Sequence, residues 1–153
     1  MSDFDFFGKR CLMQRMAEAV DIAKFGLAVR LVRHYRKTHD DDIAYKISGA
    51  LANELFSDPH GGPEGEEFAR ENSGFLRSEM TRLADDQETC QVLTQVVRVK
   101  ATIAYASGPR DEEAIMRPME KLKELGLFIP GGDAPSPDTF IPLAQRYYET
   151  ARQ

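Results

Sequence analysis

The sequence predicts an all-α fold, a compact bundle-like array of five to six helices. Three observations carry this. Apolar residues recur at three- and four-residue spacing along most of the chain. The Gly- and Pro-rich breaks between these runs are short. The one stretch that alternates like a strand has no partner strand elsewhere, and an unpaired strand would leave its backbone groups unsatisfied.

The first helix is expected from about 9 to 37, where Leu12, Met16, Val20, Ala23, Leu27 and Leu31 share one face. A second begins near Asp40, with Ile43, Ile47, Leu51 and Leu55 as an i, i+4 ladder. Its small residues Ser48, Gly49, Ala50 and Ala52 would admit a closely packed neighbour. Thr38 reads as its N-cap, with Asp41 three residues on in a variant of the capping box. "SDPHGGPEG" (57–65) is a loop, and a third helix starts near Pro63, a residue suited to the first turn. That helix carries Phe68, Phe75, Leu76 and Leu83, and "NSG" at 72–74 can bend or split it.

The segment 90–106, "CQVLTQVVRVKATIAYA", is the one that alternates, but Leu93, Val97, Ala101 and Ala104 also form a helical stripe, and helix is the reading adopted. "SGP" ends it. A fifth helix spans about 110–125, with Ile115, Met119, Leu122 and Leu125 inward, and Pro118 must kink or divide it. Gly126 is its C-terminal stop. After the irregular "IPGGDAPSP" (129–137), a last helix at about 139–151 carries Ile141, Ala144, Tyr147, Tyr148 and Ala151. Thr139 would be its N-cap and Pro142 its third residue.

A chain of 153 residues suffices for one domain, 1–153, with a single core. Its composition, 42% hydrophobic and 29% charged, is that of a soluble globular protein. No run approaches the ~18 apolar residues of a membrane span, and the N-terminus lacks a signal peptide's order of regions, so a cytoplasmic location is expected. Cys11 and Cys90, far apart and without C-x-x-C spacing, are expected to be free, buried thiols.

Net charge is −5, unevenly spread: eight Lys/Arg against four Asp/Glu through residue 39, then twelve against twenty-one. The basic residues Arg30, Arg33, Arg36 and Lys37 at the end of the first helix could meet nucleic acid. Cations are also favoured at a helix C-terminus, and the overall acidity repels phosphate. Thirteen of the twenty-one later acids sit at or just before expected helix starts, where orphan N–H groups favour negative charge.

Chemistry-bearing motifs are sparse. His34 and His39, five residues apart, diverge on a continuous helix, and His34 falls on the apolar face as a core histidine. A metal-dependent hydrolase would need His39, Asp41 and His60 to converge with an acid of the third helix. Glu66, Glu67 and Glu71 miss the E-E-x-x-E spacing by one. There is no G-x-S-x-G elbow and no P-loop, and no cofactor or metal is implied. Phe68, Phe75 and Tyr105 could line a small-molecule pocket but read equally as core.

The unusual feature is a second apolar stripe on the first helix. Ile22, Phe25, Val29 and Val32 lie nearly opposite Val20, Leu27 and Leu31. Either this helix is central to the domain or the stripe meets another chain. The expected function is a non-catalytic interaction or regulatory module, homodimeric through the first helix. Its surface would be Ile22, Phe25, Val29 and Val32, flanked by Arg30 and Arg33. The expected partner is a protein, itself or another, rather than a membrane or nucleic acid.

Overall fold

The computed structural model describes the backbone of residues 3–108 and 111–153 and the side chains of residues 11–108 and 111–153. Among these residues there are seven α-helices and no strand: α1 (Asp3–Tyr35), α2 (Asp41–Phe56), α3 (Gly62–Glu71), α4 (Ser73–Arg82), α5 (Gln87–Ala106), α6 (Glu112–Glu124) and α7 (Pro137–Arg152), with a 3₁₀ turn at Leu83–Asp85. The all-α expectation holds. The count rises because the third expected helix is two. Asn72 leaves the helical conformation, and both its backbone N–H and its side-chain amide donate to the Phe68 carbonyl, closing α3 before α4 begins. Residues 90–106 are helical, as α5. Position 110, where the fifth helix was expected to start, lies outside the described residues.

Several boundaries differ from expectation for physical reasons. Asp40, not Thr38, caps α2: its carboxylate accepts from the Ile43 N–H at 2.9 Å. Thr38 belongs instead to the turn that closes α1, where its N–H and that of His39 both reach the Tyr35 carbonyl. Asp86 and Asp111 cap α5 and α6 in the same way. Pro118 lies inside α6 without dividing it. α7 starts at Pro137, whose fixed φ suits the first helical position, so Pro142 falls inside the helix rather than in its first turn. Gly126 takes the left-handed conformation (φ 75°) expected of it. Past the end of α2 the residue that does so is Ser57 (φ 56°), in a Schellman arrangement with Asp58 N–H on the Asn53 carbonyl.

The first helix is the axle of the domain. It contacts α7 most extensively, then α2, then α5. Met16, Ala19, Val20, Ala23, Leu27 and Leu31 are buried on its inner face. Leu12, expected on that face, is exposed; among the described side chains the first of the inner face to be buried is Met16. Cys11 is exposed too, whereas Cys90 is buried, its thiol bonded to the Leu83 carbonyl. His34 is also exposed: it sits beyond Leu31, edge-on to Tyr35, rather than in the core.

α1 and α7 pack closely at Gly26. A Cβ there would lie 2.8 Å from Tyr147 Cδ2 and 3.2 Å from the Tyr148 Cα. Arg33, seven residues on, reaches the Ala151 carbonyl, so α1 and α7 run in the same direction. Of the small residues of α2, only Gly49 stands away from any neighbour. Ser48, Ala50 and Ala52 are buried, but a Cβ on Gly49 would meet nothing within 4 Å.

Two glycine substitutions therefore have opposite expected effects. Gly26→Ala forces α1 and α7 apart and should cost ~1–3 kcal/mol in urea denaturation. Gly49→Ala, in open space within a helix, should add ~0.5–1 kcal/mol by helix propensity alone. Equal effects of the two would contradict the packing at Gly26.

Candidate functional site

The face of α1 turned away from the core carries the second apolar stripe. Phe25 is 64% exposed, the most open large apolar side chain among the described residues. Ile22 and Val29 flank it half-buried, and Ile22 also packs against the core. Val32 is buried at 8% exposure, so the stripe closes into the domain at its C-terminal end. The accessible patch is thus Ile22, Phe25 and Val29. The stripe serves in part as core and in part as surface, which spacing alone did not separate.

The two arginines expected beside it serve the fold. Arg30 points to the start of α5, 3.6 Å from Asp86 and 2.9 Å from Glu88, with its guanidinium 4.3 Å above the Tyr147 ring. Arg33 donates to the Ala151 carbonyl at 2.6 Å, a cation at the C-terminal end of α7. Arg36 bonds Asp41 at 3.1 Å and the Tyr45 hydroxyl at 3.0 Å. The basic end of α1 is therefore engaged largely by the protein's own groups.

The metal-site residues are not assembled. His39 Nδ1 pairs with the Thr38 hydroxyl, Asp41 with Arg36, and His60 Nε2 with Glu54 at 2.8 Å. Among the described residues no group of three His, Cys, Asp or Glu could hold a metal ion. Of the three aromatics, Phe68 lines a cleft of about 370 Å³ between α2 and α3, with Tyr45, Gly49, Asn53 and Glu67. Phe75 and Tyr105 are exposed and do not line it.

Two polar clusters escaped the sequence reading. At the end of α2, three lysines from three other helices converge. Lys24 and Lys100 bind Asp58 at 2.6 and 3.4 Å, Lys100 also meets the Phe56 carbonyl, and Lys121 binds the Glu54 carboxylate and carbonyl. They offset the partial negative charge of a helix end whose own last turn has no basic residue. Burial pushes the Glu54 carboxyl up, but the hydrogen bonds from Lys121 and His60 outweigh it and hold it below its ordinary value. Asp58 is likewise lowered, with burial outweighed by Lys24 and Lys100. The second cluster joins α1 to α4: the Tyr35 hydroxyl donates to the buried Glu79 at 2.8 Å, and Arg82 holds its other oxygen at 3.1 Å. Burial, then Glu79, push the Tyr35 phenol well above its usual range. Only the i, i+3 spacing of Glu79 and Arg82 hinted at this in the sequence.

No protein-family model matches the sequence, and no curated protein and no solved structure matches it either.

The lowered carboxyls set the acid response. Because their folded pKa values lie below the unfolded ones, near 4, their contribution is complete above that range and lost as pH falls through the depressed values. In urea titrations between pH 7 and pH 2, Glu54→Gln with Asp58→Asn should lower stability by on the order of 1 kcal/mol at neutrality and flatten its decline in acid. An unchanged acid slope would show that neither pair matters to the fold.

Proposed function

We propose that the protein is a non-catalytic helical interaction module that docks another protein chain on the outer face of α1. One observation carries this reading: Phe25 stands 64% exposed on the domain's central helix, between the half-buried Ile22 and Val29. A large aromatic ring left in water on a rigid helix costs solvation that a partner would recover, about 1.5–3 kcal/mol for its full burial. Its place on α1 favours it as an anchor, because α7, α2 and α5 already hold the helix backbone, so only side chains need be ordered on binding. The two free cysteines fit work in a reducing compartment such as the cytoplasm.

A photo-reactive phenylalanine analogue at position 25 tests the reading in the living host. A discrete adduct with a protein chain is expected, absent when the analogue replaces the exposed Glu120 and weakened by Val29→Asp. No adduct at position 25 would refute the docking face.

A further inference from the structure

The outer face of α1 is complementary to itself. Arg36 follows the last residue of α1 and still bonds its N–H to the Val32 carbonyl, so 18 residues after Glu18, about five turns, it leaves the helix on the same side. Phe25 and Val29 lie close to either side of the line that joins them. Each of these pairs is centred on position 27, as are Ile22 and Val32. Glu18 is exposed and forms no ion pair among the described residues. Arg36 gives one nitrogen to Asp41 and one to the Tyr45 hydroxyl, which leaves its remaining donors open.

We infer that the docked chain is a second copy of the protein, bound through an antiparallel pairing of the two α1 helices about a two-fold axis beside Leu27. This rests on the reading of the α1 face as a protein contact and names its partner. In that register Phe25 of each copy packs against Val29 of the other at the centre. Ile22 meets the margin at Val32, and Glu18 faces Arg36 at both ends. Symmetry makes every contact occur twice, which is how a small isologous patch gains affinity. A parallel pairing would set Glu18 on Glu18 and Arg36 on Arg36, so the charges choose the orientation. The two helix dipoles also oppose in the antiparallel form.

Charge reversal with mixing tests the register. Glu18→Arg alone places two arginines together at each end; Arg36→Glu alone places two glutamates. Sedimentation equilibrium of either variant should show dimerisation weakened about five- to thirty-fold against wild type. An equimolar mixture should recover wild-type affinity, because the hetero-pair has an arginine opposite a glutamate at both ends. Both side chains are exposed, and a thermal melt of each variant checks that loss of association is not loss of fold. A mixture that associates no better than its components overturns the antiparallel register. A wild type that stays monomeric overturns self-pairing, while an adduct of position 25 with a different chain would leave the docking face itself standing.

Discussion

Tyr147 seated against Gly26 is the contact from which the rest of the domain is organised. It joins the first helix to the last, and it requires a residue without a side chain on α1. With the ring buried there at 1% exposure, its hydroxyl meets Thr89 at 2.8 Å. Thr89 in turn bonds Asp86, the cap of α5, and Arg30 of α1 lies across the same ring while pairing with Asp86 and Glu88. Burial pushes the Tyr147 phenol well above its usual range, so it stays a neutral hydroxyl in this network. One aromatic side chain thus fixes three helices, and a spacing change at Gly26 would disturb them together.

Helix ends are tied as well. Three lysines close the C-terminal turn of α2, Arg33 closes that of α7, and aspartates cap α2, α5 and α6. Most of the conspicuous charges therefore have fold partners, and the clusters that looked most like chemistry are joints. On the outer face of α1, Glu18 has no ion pair among the described residues and Phe25 stands open.

Periodicity made the architecture legible, since burial repeats every three or four residues wherever a helix has one inner face. It located α5 despite the alternating Val97, Val99 and Ala101, because a lone strand would have had no partner. It failed where tertiary distance decides. Gly26 and Gly49 look alike in sequence, yet one touches a ring and the other open space. Thr38 and Asp40 are both good caps, and the turn closing α1 assigned the role to Asp40. His34 continues the spacing of Leu27 and Leu31 but lies past the end of the core. The lysine convergence on Glu54 and Asp58 joins positions up to 67 residues apart, so no local pattern carries it. Of the candidate surface, spacing placed Phe25 on the stripe but did not show its exposure, and the engagement of Arg30 depends on where α5 begins.

On the proposed reading the outer face of α1 joins fold to function: the same helix is core on one side and carries the open apolar patch of Ile22, Phe25 and Val29 on the other. Its native cysteines allow the pairing to be measured without substitution, because Cys11 is exposed and Cys90 buried. A nitroxide on Cys11 of each copy would lie 16 residues from the axis beside Leu27, so at 1.5 Å per residue the two should sit about 50 Å apart in an antiparallel dimer. Pulsed dipolar spectroscopy of the labelled protein should show that distance. A separation near 10–20 Å, or no dipolar coupling between copies, would contradict the antiparallel seating of α1 on itself.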